Sequence, residues 1–160
     1  MRQLITILIL ILSLSSFGQS IQKIEFNKKY SDIKLDSFTK LTYALKLEKN
    51  DLYEISVLQQ GIDVILILTD NANKKLLEHD SPNGQYGFEK FVYSPNKTQD
   101  VLLTIKSLEE SETQKNGRIA IYIKKFSKEE IKLKNKIQQE LESENKKIVN
   151  TGIEDYLLDK

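Results

Sequence analysis

The residues that could do chemistry are a single histidine and its neighbours. His79 is the only histidine in the chain, and Asp80 and Ser81 follow it directly. Nucleophilic hydrolysis needs a nucleophile, a base and an orienting carboxylate within hydrogen-bond reach of one another. Neighbours on an extended segment point to opposite sides, so this pattern predicts no such set. We expect no catalytic residues and interpret His79 as a solvated residue at a strand end.

Metal sites are limited by the residue types present. With no cysteine and one histidine, the ligands of a tetrahedral zinc site are missing. Calcium prefers the oxygen ligands that Asp63, Asp70 and Asp80 offer. Asp63 and Asp70 flank one predicted strand, however, and are therefore about 23 Å apart. Asp70 and Asp80 flank a short predicted hairpin and lie closer, but turn carboxylates usually bond local backbone amides. We expect no metal and no cofactor.

Exposed tyrosines are the residues best suited to ligand contact, because flat rings stack on sugars. Tyr86 and Tyr93 are the candidates, while tryptophan is absent and the chain has seven tyrosines in all. Most of these tyrosines are expected to pack in the core or across strands. The ligand-binding residues therefore stay unassigned.

A chain of short strands must position these side chains. The apolar run from Val64 to Leu68 lies between Gly61-Ile62-Asp63 and an Asn-rich turn, which indicates a central strand covered on both faces. Residues 41–47 and 53–57 alternate apolar and polar side chains across a short polar turn, which predicts a β-hairpin. Further strands are predicted at 21–26, 75–79, 87–93, 101–105 and 119–123, with Asp80 to Gly84 as a strong turn signal.

About eight short strands without intervening helices are typical of an all-β fold. Residues 19–126 are therefore predicted to form an antiparallel β-sandwich of jelly-roll type. A C-terminal α-helix is predicted to follow this sandwich.

The pattern changes after the last strand. Ser127 and Glu130 form a capping box, and residues 127–150 are predicted to form a charged linker helix with a thin apolar stripe. Thr151-Gly152 is expected to end this helix, and residues 151–160 are interpreted as a tail or the start of a following domain. Because Ile65 and Ile67 face away from Val64, Leu66 and Leu68, we expect the helix stripe or a following domain to cover that face.

Residues 1–18 are predicted to be a signal peptide. Arg2 precedes an apolar stretch from Leu4 to Leu14, and Ser16-Phe17-Gly18 fits a small-x-small cleavage pattern. The stretch is about half as long as the ~20 residues that span a bilayer. We therefore expect an exported protein, periplasmic or extracellular, with no integral membrane span after cleavage.

The charge of the exported part is balanced. Removing Arg2 from 24 basic residues leaves 23, against 23 acidic ones. Such a chain has no electrostatic reason to bind nucleic acid. Without disulfides, the hydrophobic core must supply its stability.

Several of these motifs resemble the bacterial pre-peptidase C-terminal domain. The resemblance covers residues 21–125 and lies in Gly61-Ile62-Asp63-Val64, Asp80-Ser81-Pro82-Asn83-Gly84, residues 101–105 and Gly117-Arg118. Family members often have tyrosine soon after that glycine, whereas this chain has Ile119. The resemblance implies a secreted β-sandwich without agreed catalytic activity, in an accessory role beside an exported hydrolase.

Two functional hypotheses follow. The first is an exported, non-catalytic accessory or interaction module, whose partner is a following catalytic or repeat domain, a hydrolase or scaffold, or another exported protein. The second is a free-standing ligand-binding sandwich for carbohydrate or calcium. An enzyme is not expected, because no nucleophile, base and orienting group come together in the sequence.

Overall fold

A computed structural model describes residues 21–108 and 115–158 of the chain. Nine strands and one helix follow in order: β1 Ile21–Lys23, β2 Lys29–Asp36, β3 Lys40–Leu47, β4 Tyr53–Gln60, β5 Val64–Asp70, β6 Lys75–His79, β7 Tyr86–Tyr93, β8 Gln99–Ser107, β9 Asn116–Lys125 and α1 Lys128–Leu158. The predicted signal peptide, residues 1–18, lies outside the described residues.

The strands form two packed sheets. The five-stranded sheet has the order β1-β3-β8-β5-β6, and the four-stranded sheet has the order β2-β9-β4-β7. All pairs are antiparallel except β1 with β3, which run parallel. The predicted β-sandwich with a C-terminal helix is confirmed, with nine described strands where about eight were predicted.

The core lies between the sheets and is filled by alternate residues of the long strands. In β8, Val101, Leu103 and Ile105 are buried, whereas Leu102 and Thr104 between them are only half-buried. This period of two follows from the pleat, which sends successive side chains to opposite faces. The other strands contribute the following enclosed apolar side chains: Leu35, Tyr43, Leu45, Leu47, Tyr53, Ile55, Val57, Val64, Leu66, Leu68, Phe91, Ile119, Ile121 and Ile123.

The predicted hairpin between β3 and β4 is wrong, because the two strands belong to different sheets. β3 pairs with β1 and β8, and β4 pairs with β7 and β9. The segment between them turns a corner, in which Glu48 N donates to Tyr53 Oη at 2.9 Å and Asn50 N donates to Pro95 O at 2.9 Å. Alternation predicts which face of a strand is buried, but it does not predict the neighbouring strand.

The apolar run from Val64 to Leu68 forms β5, but β8 and not β5 is the middle strand of its sheet. Ile65 points to the outer face and is 8% exposed. Its cross-strand neighbour is Lys106, and an aliphatic lysine stem shields such a position while its ammonium reaches water. A neighbouring lysine stem can thus contribute to the burial of Ile65.

The prediction that the helix covers this face is wrong. Leu133, Ile137 and Leu141 of α1 are 59%, 47% and 51% exposed, so the part of the stripe whose side chains the structure describes packs against neither sheet. Cover by a following domain stays a prediction.

The start of α1 is as predicted, but its end is not. Ser127 N donates to Glu130 Oε2 at 2.8 Å, and Glu130 N donates to Ser127 Oγ at 3.2 Å, which completes the capping box. The helix continues through Thr151-Gly152 to Leu158. One glycine inside a helix costs about 1 kcal/mol relative to alanine and does not by itself end it. Among the described residues, no helix has the length and hydrophobicity needed to cross a membrane.

Candidate functional site

Five polar side chains meet where the chain leaves β6 in one sheet and enters β7 in the other. We call them the polar cluster: Gln59, His79, Ser81, Asn83 and Glu89. Gln59 and Glu89 lie on the inward faces of β4 and β7 and are fully enclosed, at 0% exposure. A carboxylate at such a position is stable only with partners, so the bonds of the cluster determine its role.

Glu89 accepts hydrogen bonds from two groups and lies close to a histidine ring. Its Oε2 accepts a hydrogen bond from Ser81 N at 2.7 Å and lies 3.7 Å from His79 Nε2. Its Oε1 accepts a longer bond from Gln59 Nε2 at 3.4 Å. The backbone amide of Ser81 and the side-chain amide of Gln59 thus replace part of the water that Glu89 loses on burial.

Gln59 connects this carboxylate to the loops on either side. Its Oε1 accepts from Val64 N at 2.9 Å, and its Nε2 donates to Asn83 Oδ1 at 2.7 Å and to the carbonyl of Gly84. The cluster therefore fixes the turn before β5 and the loop of residues 80–85 that joins the two sheets.

The geometry around His79 does not match a hydrolytic triad. Ser81 Oγ lies 3.2 Å from Nε2 of His79, and the nearest oxygen of Glu89 lies 3.7 Å from the same nitrogen. In a triad, the hydroxyl and the carboxylate contact different ring nitrogens, so that the base can take a proton while the carboxylate orients it. With both groups on one nitrogen, the cluster lacks that relay and serves to hold the loop.

The predicted position of His79 at a strand end is confirmed, but its predicted solvation is not. Its side chain is 29% exposed and its ring centroid lies 5.7 Å from that of Phe91, so the ring is partly enclosed. Ser81 lies two positions after His79, and its Oγ lies on the same side as the imidazole; the rule of opposite sides holds for adjacent residues and does not separate these two.

The aspartates considered for calcium do not converge. Asp70 Oδ1 accepts hydrogen bonds from Ala72 N and Lys74 N, each at 2.9 Å, as predicted for a turn carboxylate. Asp63, at the other end of β5, accepts a bond from Leu108 N through its backbone carbonyl at 2.9 Å. Within residues 21–108 and 115–158, no group of three or more acidic or histidine side chains is arranged to hold a metal ion.

An apolar surface lies on the outer face of the four-stranded sheet. Tyr86, Phe88 and Val92 of the edge strand β7 point outward and are 68%, 56% and 41% exposed. Leu58 of β4 is the cross-strand neighbour of Phe88 and is half-buried. We call these four residues the β7 patch.

The two tyrosines predicted as ligand contacts differ in position. Tyr86 belongs to the β7 patch, whereas Tyr93 lies on the inward side of the same strand and packs against the core. Seven positions along a strand place two side chains on opposite faces. Only Tyr86 is therefore available to a ligand at this surface.

The charged residues next to the β7 patch are already paired. Lys90 Nζ lies 3.0 Å from Glu54 Oε2, in the row between Phe88 and Val92. Arg118, in the same cross-strand row as Gln60 and Tyr86, forms an ion pair with Asp32. The patch is thus flanked by charges that largely cancel.

Sequence reasoning missed Gln59 and Glu89 of the polar cluster and Phe88 of the patch. The alternation Gly87, Glu89, Phe91, Tyr93 could have revealed that Glu89 shares the inward face with Phe91. The spacing of Tyr86 and Phe88, two residues apart, could likewise have shown an outward aromatic pair. The contacts of its amide nitrogen had no sequence signal, because Asn83, Gly84 and Glu89 lie 24 to 30 residues further along the chain than Gln59.

No family model and no curated protein matches the sequence. Among solved structures, the pre-peptidase C-terminal domain of a collagenase from Bacillus anthracis is similar, with 16% identity, a TM-score of 0.53 and coverage of 69% of this chain and 100% of that domain. Weaker likeness extends to PliG, a periplasmic inhibitor of g-type lysozyme. The Aeromonas hydrophila protein has 8% identity and a TM-score of 0.48, covering 66% of this chain and 96% of that one. The Salmonella Typhimurium protein has 16% identity and a TM-score of 0.44, covering 66% of this chain and 99% of that one.

The likeness to the collagenase domain extends over its whole length, at an identity that indicates shared fold. The fold therefore has a counterpart in a domain of the class that the motifs of residues 21–125 resemble. The chain has the fold of a pre-peptidase C-terminal domain.

Proposed function

We propose that this protein is an exported, non-catalytic interaction module whose binding surface is the β7 patch. The proposal assigns it to the periplasm or the extracellular space, next to an attached or partner hydrolase or scaffold. Support for export comes from the signal-peptide pattern of residues 1–18. Support for an accessory role comes from the fold shared with the collagenase domain.

The β7 patch is the observation that carries the proposal. Six large apolar side chains of the described sandwich are more than 40% exposed, and three of them, Tyr86, Phe88 and Val92, share one face of one strand. Single exposed apolar residues are ordinary, but Tyr86 and Phe88 are adjacent on this face and Leu58 lies beside Phe88, and such a group marks an interaction surface. The core is closed without these three residues, so folding does not require them at these positions.

The non-catalytic part of the proposal is supported by the polar cluster. Its one histidine offers the same nitrogen to Ser81 and to Glu89, an arrangement suited to holding a loop. We expect the purified protein to hydrolyse neither p-nitrophenyl acetate nor casein above the rate of its Ser81→Ala variant. A rate that falls when Ser81 is replaced would contradict the proposal.

Binding is tested with the full chain, produced with its leader and purified from the exported fraction. We expect it to sediment with envelope and secreted-polymer fractions of the producing bacterium, and Tyr86→Ala/Phe88→Ala to lose most of that retention. Phe38→Ala is the matched control, because Phe38 is 69% exposed in the turn between β2 and β3. Equal retention of all three proteins would show that the β7 patch is not the contact surface.

A further inference from the structure

Building on the proposed function, we infer that the β7 patch binds an uncharged glycan chain, with its sugar rings stacked on Tyr86 and Phe88. The inference names the chemical class of the ligand and the residues that recognise it. Four observations support it: the exposed aromatic pair, the polar side chains beside it, the paired charges around the patch, and the occupied carbonyl at the edge of β7.

The aromatic pair provides two adjacent stacking positions. Tyr86 and Phe88 occupy successive outward positions of β7, which are about 7 Å apart along a strand. Each ring is more than half exposed, and Leu58 and Ala120 lie in the same cross-strand row as Phe88. The less polar face of a pyranose ring packs on such a surface, as aromatic platforms do for other flat rings.

Polar side chains lie beside the rings, where sugar hydroxyls need partners. Gln60 is the cross-strand neighbour of Tyr86, and Arg118 is the next residue in that row. Both are exposed. An amide and a guanidinium together donate and accept hydrogen bonds, so this row suits hydroxyl groups better than a purely apolar ligand.

The balance of charge favours an uncharged chain. The pairs Lys90 with Glu54 and Arg118 with Asp32 largely cancel their charges next to the patch. The exported part of the chain is also balanced, with 23 basic and 23 acidic residues. A polyanion would find no excess positive charge to steer it here.

One carbonyl at the edge of β7 is already hydrogen-bonded, at a position where an added peptide strand would pair. Gln85 O accepts from Gly61 N at 3.0 Å. In β7, the backbone N–H and C=O groups of the odd-numbered residues therefore face β4. The same groups of Phe88, Lys90 and Val92 face away from the sheet. Asn83 Nδ2 already donates to Phe88 O at 3.0 Å. An incoming strand would have to displace that bond in the middle of the patch, whereas a ligand stacked on the face would leave it intact.

The test is native electrophoresis of the full exported protein through gels that contain one polymer each. The uncharged polymers are galactomannan, xyloglucan, hydroxyethylcellulose and laminarin, with alginate as polyanion and gelatin as polypeptide. We expect retardation in at least one uncharged glycan, and about tenfold weaker binding by Tyr86→Ala/Phe88→Ala. Tyr86→Phe keeps the ring and should keep most of the binding, and Phe38→Ala should bind like the unmodified protein.

Three outcomes would overturn the inference. They are retardation by none of the uncharged glycans, retardation by alginate or gelatin alone, and equal retardation of the double variant. If the double variant unfolds, the single variants Tyr86→Ser and Phe88→Ser replace it, with circular dichroism as the check of folding. Retention on envelope fractions that depends on Tyr86 and Phe88, without retardation in any glycan gel, would leave the proposed function standing while this inference fails.

Discussion

At the scale of single residues, Gln59 and Glu89 determine how the chain passes between the sheets. Both are fully enclosed, and their partners lie in the loop of residues 80–85 and at Val64. A buried polar group without a partner is costly. The loop is therefore held in the one position that satisfies these groups.

Replacing Glu89 by alanine should destabilise the protein by about 2–4 kcal/mol, because Ser81 N and the amide of Gln59 would lose an enclosed acceptor. Glu89→Gln keeps the shape and one acceptor oxygen and should cost less. Glu54→Gln on the outer face removes the pair with Lys90 and should cost less than about 1 kcal/mol. Chemical denaturation measures all three changes, and equal losses at positions 54 and 89 would refute the role given to the polar cluster.

Gly117 lies where the neighbouring residues leave no room for a side chain. A Cβ there would lie 2.4 Å from Ile62 Cγ2 and 2.8 Å from Gln60 O, and Ile62 is 1% exposed. Gly117→Ala should therefore cost about 1–3 kcal/mol through overpacking. Gly84 has φ +61° and open space around it, so Gly84→Asn should cost little, because asparagine tolerates this conformation. Thermal unfolding distinguishes the two variants, and an unaffected Gly117→Ala would contradict the close approach.

At the scale of elements, the end of β9 is tied to the corner between β3 and β4. Lys125 Nζ lies 2.8 Å from both Glu48 Oε2 and Asp51 Oδ2. Hydrogen bonds to Asp51 and then to Glu48 raise the pKa of Lys125 far above its ordinary value. The hydrogen bond from Lys125 in turn lowers the pKa of the Asp51 carboxyl. Phe126 N also donates to Leu52 O at 3.0 Å, so the chain leaves the sandwich at a defined point before α1 begins.

We expect the capping box to stabilise α1 without affecting the stability of the sandwich. Ser127→Ala removes the acceptor of Glu130 N, and we expect it to lower the helical circular dichroism signal at a cost of about 1 kcal/mol to the helix. Ser143 bonds only the carbonyl of Glu140 within the helix, so Ser143→Ala should preserve or raise helicity. The melting temperature of the sandwich should stay the same in both variants, and a joint fall of helicity and melting temperature would contradict this separation.

At the scale of the whole molecule, the core of the sandwich is buried between the two sheets without help from α1, which follows the last strand. The exposed side chains of Leu133, Ile137 and Leu141 show that burial of the helix contributes little to the stability of the sheets. The ion pair of Lys124 with Glu130, at 2.7 Å, is solvated, and such pairs contribute at most about 1 kcal/mol.

Deleting residues 127–160 should therefore leave the sandwich folded, with a melting temperature within a few degrees of the full chain. The physical reason is that the deletion removes little apolar area buried against the sheets. Scanning calorimetry of both proteins measures the change, with Tyr53→Ala as the positive control, because Tyr53 is fully enclosed. A large fall in melting temperature or loss of solubility after the deletion would show that α1 covers a sheet.

The sequence by itself determined the class of fold. Period-two alternation in runs such as Val101 to Ile105 assigned the inward faces correctly, and the capping box at Ser127 marked where the helix begins. These signals are local, because the pleat of a strand and the first turn of a helix depend on residues a few positions apart.

Only the tertiary structure decided which strands are neighbours and which polar groups meet. The segment between Leu47 and Tyr53 suits a hairpin as well as a corner, and contacts with Pro95 on a distant segment select the corner. Likewise, Glu89 reaches Ser81, His79 and Gln59 only because the loop of residues 80–85 folds back over the gap between the sheets. Such pairings join residues far apart in the chain, and their energies depend on burial that no local pattern encodes.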